Sequence, residues 1–380
     1  MIIPKKSKAF FWTSLLLLQK HIHSFMAGNS IGTLFKLVSF GESHSKYIGG
    51  VVEGCPSNIN LDLEKINHDL ARRKPQAFFS TARVEDDNIE IISGLFEGKT
   101  LGSPIAFLIK NNQQHSSDYD ILKDSYRPSH ADYTYQQKYG IRDHRGGGRA
   151  SARETATRVV AGSIAKQILH KFGISITAYT SQIGTVKTTA SYKDIDLSLK
   201  DTNPIYCPDP MATKEMETLL NKVKEQNDSI GGTITCIING CPAGIGEPIF
   251  DKLQAELAKA IMSIPSAKGF EYGDGFEMAT MYGSETLDVI NNDFSTSGNH
   301  SGGIQGGITN GQDIVFKVAF KPIASIGQPL PLTDKTGNTR IEKLNGRHDS
   351  CQVPRAVPIV EAMAAIVLTD QLLQHNAYRF

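Results

Sequence analysis

Val51-Val52-Glu53-Gly54-Cys55-Pro56-Ser57-Asn58-Ile59 and Ile237-Ile238-Asn239-Gly240-Cys241-Pro242-Ala243-Gly244-Ile245 share one pattern: two apolar residues, a third residue, Gly-Cys-Pro, two more residues and Ile. Helical periodicity follows both copies. Ile66 and Leu70 are spaced i, i+4 after the first, and Leu253, Leu257 and Ile261 continue that spacing after the second, as one apolar helix face requires. Further on, the stretch from Gly94 through Gly98 and Thr100 to Gly102 aligns without gaps on Gly303, Gly307, Thr309 and Gly311. Each Gly-rich turn leads into a strand-like run, Ile105 to Ile109 and Ile314 to Phe320. Each half closes on a long apolar helix. In the first, Ala156, Val159, Val160, Ser163, Ile164 and Ile168 form a stripe ended by Gly173. In the second, Pro358 suits a first helical turn, and Ile359, Met363, Ile366, Val367 and Leu373 form an apolar face. Two matches in the same order predict an α+β protein of two pseudo-symmetric halves, about 30–173 and 231–374. The segment from Ser175 to Ile230 joins them, strand-like at first, then polar and broken by Pro204, Pro208 and Pro210.

The 380 residues are enough for one large domain or two ordinary ones. Lys and Arg number 40 against 39 Asp and Glu, a net charge of +1, so the whole surface is not built for nucleic acid or an anionic membrane. Any anion binding must be local. The cysteines, Cys55, Cys207, Cys236, Cys241 and Cys351, are odd in number and form no C-x-x-C pair, which predicts reduced thiols in a reducing, cytoplasmic compartment. Lys5, Lys6 and Lys8 before the apolar run Ala9 to Leu18 have the look of a signal sequence, but no small-x-small cleavage site follows. Met26 is a candidate start. Residues 1–25 are therefore expected to be a leader or an upstream-start extension outside a single domain at 26–380. No other stretch reaches the roughly 20 apolar residues of a membrane span.

Between Arg127 and Arg158 lie six arginines (127, 142, 145, 149, 153, 158) and Lys138, against Asp132, Asp143 and Glu154. Within this stretch Gly146-Gly147-Gly148-Arg149-Ala150-Ser151-Ala152-Arg153-Glu154 reads as a flexible turn entering a helix, with Ser151 and Glu154 as a capping box. A helix start presents free amides and a positive dipole end to an anion, and arginines beside it suit bidentate recognition of carboxylate or phosphate. The bland alternative is a solvated basic helix end paired with its neighbours. Histidines add a second signal. His44 stands just past the strand-like Phe35 to Phe40, His130 lies inside the cationic stretch, and Arg347-His348-Asp349 precedes the last helix. A His beside several arginines is a candidate acid or base near an anion; a lone His is more often packing, and Arg347 to Asp349 equally suits a polar turn. The sequence has no G-x-x-x-x-G-K-[ST], H-E-x-x-H, G-x-S-x-G or zinc spacing. The residues thus indicate an enzyme acting on a multiply anionic small molecule through His chemistry.

The longer motifs are GESH at 41–44, RPSHADYTYQQKYG at 127–140, RGGGRASARETATRV at 145–159, KPIAS at 321–325 and RHDSC at 347–351. Together, in this order and across residues 26–374, they resemble the chorismate synthase family. That resemblance implies a carbon–oxygen lyase of the shikimate pathway, converting 5-enolpyruvylshikimate 3-phosphate to chorismate and phosphate by 1,4-anti elimination. It implies reduced FMN as cofactor, NADPH as an optional flavin reductant, a β-α-β sandwich fold and a homotetramer, with no nucleic-acid or membrane partner. By the same resemblance His44 assists loss of phosphate, His130 faces the flavin, and Asp349 helps remove a proton from flavin N5. Ser43, Arg73, Arg127, Ser151, Arg153 and Arg347 are the implied substrate contacts. The implied cofactor contacts are Arg73, Arg149, Ala150, Ser151, Gly306, Lys321, Pro322, Ile323, Ala324, Ser325 and Arg347.

The sequence departs from the family pattern in places. After Arg72-Arg73-Lys74-Pro75 the usual Gly and following Arg give way to Gln76-Ala77-Phe78-Phe79, which puts one anion contact in doubt. Pro265-Ser266 replaces Asn-Ala in a flavin-contacting turn, Ser45 a Gly after GESH, and Ala150 a Ser. The nearest rival is an FMN-binding flavoprotein or flavin reductase without synthase activity; a nucleic-acid-binding module using RGGGR is disfavoured by the near-zero net charge.

Overall fold

Alternation of side chains makes the strands. Ile105, Phe107 and Ile109 in one half, and Ile314, Phe316 and Val318 in the other, point to one face and are fully buried. The computed structural model describes residues 28–74, 87–111, 121–343 and 349–378; the leader, the Gln76 to Phe79 loop and Arg347 lie outside them. The first sheet contains β1 (Ser30–Ile31), β2 (Lys36–Phe40), β3 (Tyr47–Glu53), β4 (Ile89–Ile91) and β5 (Ile105–Lys110), in the order β1-β2-β3-β5-β4. The second contains β6 (Ser175–Ile183), β7 (Val186–Lys187), β8 (Gly232–Asn239), β9 (Ala267–Tyr272) and β10 (Ile314–Phe320), in the order β7-β6-β8-β10-β9. All neighbours are antiparallel.

The series β2-β3-β5-β4 and β6-β8-β10-β9 are the same motif built twice, so Ser175–Ile183 belongs to the second sheet rather than to a joining segment. The reason lies in pairing: along its whole length β8 has β6 as its partner on one side, as β3 has β2. The Gly-Cys-Pro turns match at atomic detail. Thr100 Oγ1 donates to Pro56 O at 2.6 Å and accepts from Ile59 N at 2.9 Å; Thr309 Oγ1 does the same with Pro242 O and Ile245 N at 2.6 and 2.9 Å. Gly54 and Gly240 have φ of 74° and 75°, and a Cβ on either would strike a carbonyl oxygen, of Leu34 or of Gly173.

Between the sheets lie α1 (Leu63–Arg73), α3 (Thr155–His170), α5 (Leu253–Met262) and α6 (Val353–Ala377); α2 (Asp132–Tyr139) and α4 (Pro210–Glu225) lie on connections. The helices α3 and α6 cross where Gly162 meets Ala362. Two expectations are corrected here. The last helix begins at Val353, with Pro354 in its first turn and Pro358 inside it. Every residue from Ala356 to Leu372 is buried, so α6 has no solvent face to alternate with its apolar one. It is long and apolar enough to cross a membrane, but 94% of its apolar window is buried inside the protein; it is a core helix.

Glu361 and Asp370 bring buried carboxylates into this layer, each with its own partners. Glu361 of α6 accepts from Arg72 at 2.6 and 3.0 Å, from Lys166 at 3.3 Å and from Ala178 N at 3.1 Å, while Asp69 holds Lys166 at 2.6 Å. Burial pushes the Glu361 carboxyl up, but Arg72 and Lys166 outweigh it and hold it well below the usual carboxylate range. Further along α6, Asp370 accepts from the backbone N–H groups of Thr33, Leu34 and Phe35 at 2.6–2.9 Å, fastening the start of the first half to the end of the second. A small sheet of Ser125–Tyr126, Pro329–Asp334 and Thr339–Lys343 carries its own core of Leu122, Leu330 and Leu332.

Candidate active site

Four helix ends meet at one place. The N-terminal ends of α3 and α6 and the C-terminal ends of α1 and α5 line a cleft of about 1180 Å³. Two converging N-termini supply free amides and positive dipole ends. The opposing C-terminal carbonyls are neutralised by arginines of the other half: Arg158 donates to Ser263 O at 3.2 Å, and Arg355 to Arg73 O at 3.1 Å.

Among the sequence-predicted residues, Arg73, Arg127, His130, Arg149, Ala150, Ser151, Lys321, Ile323, Ala324, Ser325 and Asp349 line this cleft. Pro322 and Arg153 flank it, Gly306 turns the hairpin Ile304–Thr309 and is not among its lining residues, and Arg347 lies outside the described residues. Ser43 and His44 are buried, with Ser43 Oγ 3.0 Å from His44 Nδ1. They pack against Gly146 of the cleft wall, where an added Cβ would come within 2.4 Å of the His44 ring. That close packing, beside any approach of a ligand, makes glycine necessary at 146.

The capping box at Ser151 forms only in half. Ser151 Oγ accepts from Arg153 N at 3.3 Å, but the Glu154 carboxylate turns to Arg158 one turn on, at 2.8 Å. The short 3₁₀ turn Ala152–Glu154 precedes α3 proper. Arg149 reaches back to Gly41 O, Ser39 O and Ser39 Oγ at 3.1, 3.3 and 2.7 Å, joining the RGGGR turn to the GESH loop.

The arginines are organised by carboxylates. Asp132 takes Arg127 Nε on one oxygen at 2.8 Å, and Arg127 Nη2 and His130 Nδ1 on the other at 2.9 and 2.8 Å. Burial pushes the Asp132 carboxyl up, but the bonds and charges of Arg127 and His130 hold it far below the carboxylate range. Asp87 stands between Arg73, at 2.7 Å, and Arg153, whose Nε also donates to Asn111 Oδ1 at 2.9 Å. Asp349 pairs with Arg355 at 2.7 Å. Lys321 Nζ donates to Ser129 O at 2.8 Å, and burial together with Lys268 lowers its proton affinity.

Sequence reasoning passed over Asp87, Asn111, Arg355 and Tyr135, and counted Asp132 only as a charge. The spacing His130-x-Asp132 is the one signal that marked any of them. Partners of Asp87 lie 14 and 66 residues away, which no local pattern shows. Around these charges the cleft walls include Phe40, Tyr135, Tyr139, Ile264, Ile323, Ala356 and Ile359. Apolar and aromatic walls beside guanidinium groups suit an anionic small molecule with a flat apolar part.

The sequence pattern of the family described as chorismate synthase matches residues 35–373. This chain belongs to the chorismate synthase family. The chorismate synthase of Bacteroides thetaiotaomicron is 56% identical over 349 residues, covering 91% of this chain and 98% of that one. That of Christiangramia forsetii is 54% identical, covering 93% and 99%. A crystal structure of chorismate synthase superposes with a TM-score of 0.72 at 33% identity, covering 90% of this chain and 93% of that one. The chain is thus a lyase of the shikimate pathway with the α+β architecture of chorismate synthases, and the reaction of this family acts on a small molecule and depends on a flavin.

Proposed function

We propose that the cleft at the four helix ends binds 5-enolpyruvylshikimate 3-phosphate and reduced FMN together. The observation that carries this reading is the convergence of two helix N-termini with Arg73, Arg127, His130 and Asp349 around one cleft. The substrate bears two carboxylates and a phosphate. Arg73, Arg127 and Arg153, with Ser43, Ser151 and Arg347, hold these anions. Arg149, Ala150, Ser151, Lys321 to Ser325 and Arg347 hold the flavin, which when bound supplies transient electron density to the breaking C–O bond. His44 donates a proton or hydrogen bond to the departing phosphate. His130 faces the flavin and adjusts the protonation of its reduced form, and Asp349, paired with Arg355, helps take up the proton lost in the elimination. NADPH serves as an optional reductant of the flavin. The enzyme works as a cytoplasmic homotetramer; exposed Phe276, Tyr282 and Phe294 in one connection support a subunit contact.

The test is anaerobic, with chemically reduced FMN and substrate, following phosphate release and chorismate absorbance together. Equal yields of both products are expected, and His44→Ala and His130→Ala should each lower kcat about 10²- to 10⁴-fold. FMN binding without either product would instead mark a flavoprotein lacking synthase activity.

A further inference from the structure

The turn that presents His130 is held from several sides. Pro128 fixes one torsion, Ser129 takes a left-handed φ of 56°, and Lys321 Nζ grips the Ser129 carbonyl. A non-glycine residue in that region is retained where the surroundings enforce it. The outcome is that His130 Nδ1 lies 2.8 Å from Asp132 Oδ1, while the ring lines the cleft with its side chain 20% exposed.

Arg127 Nη2 also stands 3.1 Å from His130 Nδ1, so two assignments compete. If Nδ1 carried no proton, its lone pair would face a carboxylate oxygen at 2.8 Å with no hydrogen between them. Arg127 Nη2 gives one of its two N–H groups to that oxygen at 2.9 Å, and giving the other to Nδ1 would not relieve that repulsion. In the neutral ring the proton therefore belongs on Nδ1, donated to Asp132, and the lone pair on Nε2. Among the described residues, no protein group bonds Nε2.

We propose that Asp132 is a positioning residue for the reaction: it fixes His130 in the Nδ1–H tautomer, so that Nε2 is an acceptor toward whatever occupies the cleft. When a bound molecule gives up a proton there, the Nε2 lone pair forms the new N–H bond, the donor atom keeps its electron pair, and Asp132 balances the imidazolium charge. The reverse transfer returns the proton and the neutral tautomer. This inference rests on the reading of His130 as a proton carrier in the cleft.

Two measurements test it. The first uses the unaltered enzyme labelled with ¹⁵N-histidine at a pH of about 8, above the ordinary histidine range. His130, assigned by its loss in His130→Gln, should show a protonated Nδ1 and a bare Nε2; a protonated Nε2 overturns the proposal. The second is a cycle of Asp132→Asn, His130→Gln and the double variant, with kcat and KM measured under anaerobic assay. Asp132→Asn should lower kcat about 10²-fold or more, as loss of the orienting carboxylate does in other Asp–His pairs. The double variant should fall no further in kcat than His130→Gln alone. Loss transmitted through Arg127 instead would appear in KM and persist in the His130→Gln background. Additive kcat losses overturn the role of Asp132 while leaving His130 catalytic; a His130→Gln enzyme with unchanged kcat removes the reading of His130 itself. If Asp132→Asn fails to fold, the tautomer of the unaltered enzyme still decides the question.

Discussion

Glu361 shows what one buried residue does for this architecture. It belongs to α6 of the second half, yet it binds Arg72 and Lys166 of the first and the backbone of β6. Removing one member of such a group leaves an uncompensated charge, so Glu361→Gln should cost about 3–5 kcal/mol, read as a lower urea midpoint. The pH dependence has a definite sign. The folded carboxyl is depressed, so its contribution is complete above the unfolded value of about 4.3 and is lost as pH falls through and below it. Thermal melts from neutral pH into that acid range should fall more steeply for the native sequence than for Glu361→Gln; parallel curves would sink this account. The depressed Asp132 adds to the acid sensitivity with the same sign. None of this was legible in the sequence. Glu361 reads as one polar residue in an apolar helix, and its partners come from elements far away along the chain.

At the scale of elements, the crossing of α3 and α6 sets how closely the two halves approach. A Cβ at Gly162 would lie 2.3 Å from both the Cα and the Cβ of Ala362, where neither helix has a flexible atom to yield. Intrinsic helix propensity favours Gly162→Ala by up to about 1 kcal/mol, whereas overpacking a fixed contact costs typically about 1–3 kcal/mol. The steric effect should win. Gly162→Ala is expected to lower the urea midpoint at unchanged m, and a stabilised variant would show that the helices can part without cost. The elements themselves were largely legible, because Ile66 and Leu70, or Ile314, Phe316 and Val318, repeat at periods that burial on one face imposes. The limits of α6 were not. Pro358 read as a helix start because proline loses nothing in a first turn, but Pro354 already holds that place, and a helix buried on all sides has no amphipathic edge to mark its beginning.

In the whole molecule, internal symmetry explains where the cleft lies and what departs from it. The repeat was visible because turn geometry favours the same residues twice: Gly54 and Gly240 at positive φ against a carbonyl oxygen, Thr100 and Thr309 in the same two bonds. The cleft was legible in its arginines and in His130, but not in the carboxylates that hold them, since Asp87 meets Arg73 and Arg153 only after folding. The sharpest break in the symmetry is the connection before the last strand of each sheet. In the first half residues 92–104 join β4 to β5; in the second, 273–313 join β9 to β10. The longer connection adds little to either sheet, yet it carries Phe276 at 79%, Tyr282 at 78% and Phe294 at 82% exposure. Large exposed apolar side chains along one surface segment are what a contact with another molecule uses, and under the proposed homotetramer that molecule is a second copy. Phe276→Ser with Phe294→Ser should therefore convert a tetramer into smaller species in analytical ultracentrifugation, with near-native far-UV circular dichroism because neither side chain belongs to the core. A native chain that sediments as a monomer, or a doubly substituted chain that remains a tetramer, would remove this segment from the subunit contact.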